Sequence, residues 1–141
     1  MRTNIHSLIS VLAALLLMAT VSCGRKKTDL QGAVITALAG RVSLVDGQGK
    51  ERIVSTGDLY TKAGLFTPGM TLLTDTDGHA DLQFTTGLVM RVNGCSRMKL
   101  EKASILIDAD YRHVVMQLQS GGVFTRSEKL SGNSDIVVSA P

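Results

Sequence analysis

Tryptophan is absent from this 141-residue sequence, proline and cysteine occur twice each, and aromatic residues make up only 4%. Two cysteines are too few for a disulfide scaffold or a cysteine-rich zinc site. Charge is also sparse, since charged residues account for 19% of the chain and the formal net charge is +3. This excess is too small for the basic footprint of a nucleic-acid-binding domain. The length favours one domain over two.

The one long apolar run, Leu8–Val21, is too short to cross a membrane as a helix. At 1.5 Å per residue it spans about 21 Å, against about 30 Å of hydrocarbon. It follows Arg2 and precedes small residues, which is typical of a helical secretory signal peptide. We therefore expect residues 1–22 to be a signal peptide.

The residues after this run resemble a bacterial lipobox, with the order Ala19-Thr20-Val21-Ser22-Cys23. The segment departs from the usual lipobox at Thr20, where lipoboxes commonly carry leucine. The resemblance implies that Cys23 is lipidated and that residues 23–32 form a tether. Several acyl chains give stable anchoring, since each buried methylene contributes about 0.8 kcal/mol. Gly24 stands where an inner-membrane retention signal of the enteric type has aspartate, so the outer membrane of a bacterial envelope is favoured.

Apolar residues alternate with polar ones in short runs through the remaining chain, 33–141. Ala80, Leu82 and Phe84, for example, are separated by Asp81 and Gln83, and turn residues divide one run from the next. Such runs, spaced by roughly ten residues, predict an all-β domain of short antiparallel strands. A sandwich or roll and a β-solenoid fit this spacing equally. The pair Asn93–Gly94 predicts a tight hairpin between two of the strands.

The order of the strands and their glycines resembles the FecR domain, a β-rich module of bacterial cell envelopes. The resemblance covers roughly residues 37–141 and rests on motifs that are weak singly: Gly40-Arg41-Val42, Gly57-Asp58, Gly69 before Thr71–Thr74, Gly78-His79-Ala80-Asp81-Leu82-Gln83-Phe84, Gly87-Leu88, and Gly121-Gly122-Val123-Phe124. It implies a non-catalytic module that contacts other envelope proteins, including signalling domains of TonB-dependent receptors.

Two departures from the family pattern limit what the resemblance implies. The transmembrane regulators of the family begin with a cytoplasmic anti-sigma segment, and here the apolar run begins near residue 8. Sigma-factor regulation is therefore not carried over. The family pattern also continues with a further strand where this sequence has Pro141. The domain is thus expected to be incomplete at its C-terminal end, as a fragment or as a domain whose pairing a partner completes.

Two groups of polar residues are candidates for ligand binding. Asp75, Asp77, His79 and Asp81 recur at every second position, so on one extended strand they would share a face and could ligate a cation. A turn at Asp77–Gly78 would break that face. The second group is a basic cluster around the expected hairpin, and it could meet an acidic glycan or an envelope protein: Arg91, Arg97, Lys99 and Lys102.

Cys95 follows the Asn93–Gly94 pair and is most simply a small residue at the start of a strand. It could instead bridge to Cys23 if Cys23 carries no lipid. The sequence contains no HExxH, Walker, CxxC or G-x-S-x-G motif. We therefore predict no enzyme activity and no cofactor. The expected function is that of a protein- or glycan-binding, scaffolding lipoprotein; the alternative is a regulatory component that binds a TonB-dependent receptor.

Overall fold

A computed structural model of the chain describes residues 29–85, 87–106, 111–129, 132 and 134–141. These residues form two β-sheets and two short 3-10 turns, which confirms the prediction of an all-β domain. The larger sheet has seven strands: β1 (Asp29–Leu30), β3 (Val42–Val45), β4 (Glu51–Val54), β6 (Thr71–Thr74), β9 (Arg97–Leu106), β10 (Tyr111–Ser120) and β12 (Asp135–Ser139). The smaller has five: β2 (Ala33–Ala39), β5 (Leu65–Phe66), β7 (His79–Thr85), β8 (Leu88–Val92) and β11 (Val123–Ser127).

The two sheets enclose one hydrophobic core, to which both contribute. The alternation seen in the sequence decides which side chains enter it, because successive side chains of a strand point to opposite faces. Leu88, Met90 and Val92 of β8 are fully buried, as are Met98 and Leu100 of β9 in the opposite sheet. This two-layer arrangement is that of a β-sandwich.

The chain passes repeatedly from one sheet to the other at sharp corners. Corners join β2 to β3, β6 to β7, β8 to β9, and β10 to β11, so the joined strands lie in opposite layers. The larger sheet has the order β12-β10-β9-β6-β3-β4, with β1 beside β9, and the smaller has β11-β8-β7-β2-β5. The five strands of the larger sheet from β10 to β4 therefore correspond, in the same order, to the five strands of the smaller sheet from β11 to β5. Among the described strands, β12 has no counterpart in the smaller sheet.

The Asn93–Gly94 pair lies at one of these corners, so the predicted hairpin is wrong. β8 pairs with β7 and β11, whereas β9 pairs with β10 and β6 in the other sheet. Cys95 has a φ of 54° and its N–H donates to the Asp75 carbonyl, 3.1 Å away, which turns the chain out of its layer. A tight turn signal marks a reversal of direction, but it does not specify whether the next strand stays in the same sheet.

Two further pairings differ from the sequence prediction. β12 runs parallel to β10, with Val114 opposite Ile136, so the sheet is mixed and not wholly antiparallel. Asp29 and Leu30, placed in the tether by the sequence analysis, pair as β1 with Leu106 and Ile105 of β9. β6 covers only residues 97–99 of β9, which leaves backbone groups farther along that strand for β1 to satisfy.

Candidate binding surface

The outer face of the smaller sheet carries an exposed aromatic side chain beside a charged pair. Because Met90 and Val92 point into the core, Val89 and Arg91 between and beside them point outwards. Across β11, Phe124 lies opposite Arg91 and Arg126 lies opposite Val89. Phe124 is 68% exposed and Val89 is 37% exposed. We call Val89, Arg91, Phe124 and Arg126, together with Asp81 of β7, the outer surface.

Asp81 and Arg91 form a bidentate ion pair at the centre of the outer surface. Arg91 donates from Nε to Asp81 Oδ1 at 2.6 Å and from Nη2 to Oδ2 at 2.7 Å. The two residues lie directly opposite one another in the β7–β8 register, which holds the two planar groups in this geometry. The hydrogen bonds from Arg91 lower the pKa of Asp81, against the opposing effect of partial burial. Hydrogen bonding to Asp81 in turn raises the pKa of Arg91.

Arg126 differs from Arg91, because it forms no such pair with any described residue. Within the described part of the chain, no carboxylate lies within ion-pair distance of its guanidinium. The side chain is exposed, next to Phe124 on the same strand. The outer surface therefore offers a flat aromatic side chain and an available cation, a combination that is enriched where proteins bind one another.

The four candidate cation ligands lie in two different places. Asp75 and Asp77 lie in the turn between β6 and β7, while His79 and Asp81 belong to β7 itself. The Asp75 carboxylate accepts from the N–H of Thr76 at 2.8 Å, and Asp81 is held by Arg91. Among the described residues, no three of histidine, cysteine, aspartate and glutamate come close enough together to hold a metal ion.

The four basic candidates are divided between the two sheets, so they do not form the single cluster expected. Arg91 belongs to β8 of the smaller sheet, whereas Arg97, Lys99 and Lys102 lie on β9 of the larger. Their expected proximity depended on the hairpin that the corner replaces. Arg97 donates from Nε to Gln119 Oε1 at 2.7 Å, across the β9–β10 pair.

Cys23 lies outside the described residues, so its lipidation stays a prediction. Cys95 is exposed at the corner between β8 and β9 and has no disulfide partner among the described residues. In the described part of the chain, no helix has both the length and the hydrophobicity to cross a membrane.

A shallow cavity of about 220 Å³ lies on the larger sheet, near Arg41, Glu51 and Asp75. Ligand pockets are typically about 300–1,000 Å³ and mostly apolar. This cavity is smaller and is lined by charges of both signs, so it differs from such pockets in both size and chemistry.

Buried hydroxyl groups tie three corners together beside the outer surface. Thr74 donates from Oγ1 to the carbonyl of Asn93 at 2.5 Å and accepts from the N–H of Ser96 at 3.0 Å. Ser96 Oγ accepts from the N–H of Gly122 at 3.0 Å and donates to its carbonyl at 3.2 Å. These bonds connect the β6–β7, β8–β9 and β10–β11 corners, and thereby fix where the chain leaves β10 of the larger sheet and enters β11 of the smaller sheet.

Phe124 and Arg126 are not among the binding candidates that the sequence motifs indicate. The signal that could have found them is the alternation after Gly121–Gly122, in which Val123 faces the core and Phe124 must then face outwards. Comparison of the chain with protein-family models, curated proteins and solved structures found no match.

Proposed function

We propose that this chain is a non-catalytic binding module of a bacterial cell envelope, held at a membrane by lipid on Cys23, and that its outer surface contacts another envelope protein. The observation that carries the proposal is the exposure of Phe124 near Val89 on the outer face of the smaller sheet. Exposed apolar side chains that are contiguous and rimmed by polar groups mark interaction sites.

The resemblance to the FecR domain supports the same proposal from the sequence. It implies an envelope module that contacts other proteins, and the lipobox-like segment implies a tether in that compartment. A tether raises the local concentration of the domain near membrane partners, so modest contacts suffice for binding. We propose the outer membrane as the site of anchoring, on the strength of Gly24 after Cys23.

The tether is tested by the intact mass and detergent partitioning of the chain expressed in a bacterium. The wild type is expected to have lost residues 1–22, to carry acyl groups and to enter the detergent phase. Cys23→Ala is expected to lose the acyl mass, whereas Cys95→Ala, which removes the other cysteine, is expected to keep it. An unacylated wild-type chain would contradict the tether.

Binding is tested by photo-cross-linking in intact cells, with a benzoylphenylalanine residue placed at one position at a time. Position 124 is expected to give a discrete cross-linked protein. Position 53 is the matched control, since Ile53 is also exposed, at 58%, but lies on β4 at the far edge of the other sheet. Absence of any adduct from position 124, or the same adducts from both positions, would contradict the proposal.

A further inference from the structure

Within the described part of the chain, the sheet edge beside the outer surface has an unfilled position for one strand. Among the described strands, β11 is the last of the smaller sheet and pairs only with β8, whereas β12 extends the larger sheet one strand farther. We infer that the free edge of β11 receives a single extended segment of the partner protein, in the layer opposite β12. This inference rests on the proposed function and names the form of the partner.

The backbone of β11 shows which groups are available to that segment. Asn93 donates to the carbonyl of Gly122 at 2.9 Å, and Glu128 donates to the carbonyl of Gly87 at 2.8 Å. Hydrogen-bonded pairs alternate along an antiparallel ladder, so the even-numbered residues of β11 face β8. The N–H and C=O groups of Val123, Thr125 and Ser127 therefore point to the free edge, and they have no partner within the described residues.

The core-facing sides of β11 and β12 are also exposed at this position, within the described part of the chain. Thr125 and Ser127 lie on the core-facing side of β11, opposite the fully buried Met90 and Leu88 of β8, yet both are exposed. On the other layer, Val138 lies beside the fully buried Met116 on the core-facing side of β12 and is 37% exposed. Inward-facing residues of one added strand would cover both sets.

β12 extends the larger sheet one strand beyond the end of the smaller sheet, and this argues against a second copy of the domain at the same edge. A copy that paired its own β11 with this one would bring its β10 and β12 into the opposite layer. That layer is already occupied by β12, which pairs with β10 along five residues, His113–Gln117. One extended segment fits beneath β12, whereas a complete two-layer domain collides with it.

The side chains around the edge specify the chemistry of the incoming segment. Its inward residues contact Val123, Ile136 and Val138, so they are apolar. Its outward residues lie beside Arg126, which lacks an acidic partner in the described part of the chain, so an acidic residue is favoured there. The expected partner thus presents an extended segment of alternating apolar and polar residues that includes a carboxylate, as in strand-addition complexes.

The experiment uses the full-length chain in detergent micelles and, as probe, a synthetic peptide of about ten residues in which valine alternates with threonine and one glutamate. Before the peptide is added, the amide of Thr125 is expected to exchange with solvent faster than those of Phe124 and Arg126, because it has no acceptor. Saturating peptide is expected to slow its exchange at least tenfold. A scrambled peptide of the same composition is the control.

Thr125→Pro removes the outward N–H and leaves the bonds to β8 in place, so it is expected to weaken peptide binding at least tenfold. Thr125→Val keeps the N–H and the branched shape and is expected to bind like the wild type. Unchanged exchange at Thr125, or equal binding by the proline variant, would overturn strand addition. A wild-type dimer that dissociates in the Thr125→Pro variant would also overturn the inference, because a second copy of this chain would then occupy the edge. Failure here together with a cross-link from position 124 would leave the proposed function standing.

Discussion

Replacement of Gly121 by alanine tests how the chain turns from β10 into β11 and so positions the outer surface. Gly121 has a φ of 86°, and a Cβ built there would lie 2.1 Å from Ser96 Oγ and 2.5 Å from Ser96 Cα. Ser96 would have to move, and its bonds to Gly122 would lengthen. Gly121→Ala is therefore expected to combine backbone strain with a steric clash.

Gly69→Ala separates these two effects, because Gly69 has nearly the same φ, 89°, and beyond its chain neighbours nothing lies within 4 Å of the place that an alanine Cβ would take. Left-handed backbone costs an alanine about 1–2 kcal/mol at either site. The forced displacement adds about 1–3 kcal/mol at Gly121 alone. At about 4 °C per kcal/mol for a domain of this size, Gly121→Ala is expected to melt roughly 4–12 °C below Gly69→Ala.

The assay is thermal unfolding of both variants and the wild type, followed by far-ultraviolet circular dichroism at one protein concentration. Both variants are expected to be less stable than the wild type. Equal melting temperatures for Gly121→Ala and Gly69→Ala would refute the argument, because they would show that the close approach of Gly121 to Ser96 does not constrain the corner.

Three further predictions concern the smaller sheet and its corner. Asp81→Asn is expected to destabilise the fold by about 0.2–1 kcal/mol at neutral pH. Because Arg91 lowers the pKa of Asp81 in the folded state, the ion pair stabilises the fold fully above the unfolded pKa of about 3.9, and this stabilisation is lost as the pH falls through the folded pKa. The difference in unfolding free energy between wild type and Asp81→Asn, measured by urea titration, should therefore shrink over that pH range. Leu82→Ala is expected to cost about 2–5 kcal/mol in the same assay, because Leu82 is fully buried, whereas Val89→Ala on the opposite face should cost less than about 1 kcal/mol. Ser96→Ala should cost about 1–3 kcal/mol by leaving the Gly122 N–H without its acceptor, and an unchanged melting temperature would contradict that role.

The strands could be predicted from the sequence because burial on one face of a sheet imposes a period of two. Leu88, Met90 and Val92 alternate strictly with Val89 and Arg91, and all three are fully buried. The same pattern carries no information on which strands are neighbours. Both sheets of a sandwich require the same alternation.

Pairing and layer therefore could not be predicted. Asn93–Gly94 is equally compatible with a hairpin and with a corner, and the choice depends on contacts from distant residues, such as the bond from Thr74 to Asn93. The parallel pairing of β12 with β10 joins residues that lie about twenty positions apart, and β1 is too short to show a period. The basic cluster was expected because a hairpin would pair β8 with β9 and bring Arg91 close to Arg97. The periodicity of the two strands does not specify that pairing, and the strands lie in different sheets.

The most direct test of the central claim measures the position-124 cross-link in cells that express either the wild-type chain or Cys23→Ala at equal amounts. A binding module that depends on its tether should give the cross-linked partner in the wild type and at least tenfold less of it without the lipid, because the local concentration of the domain falls. An undiminished cross-link in Cys23→Ala, or none in either chain, would contradict the account.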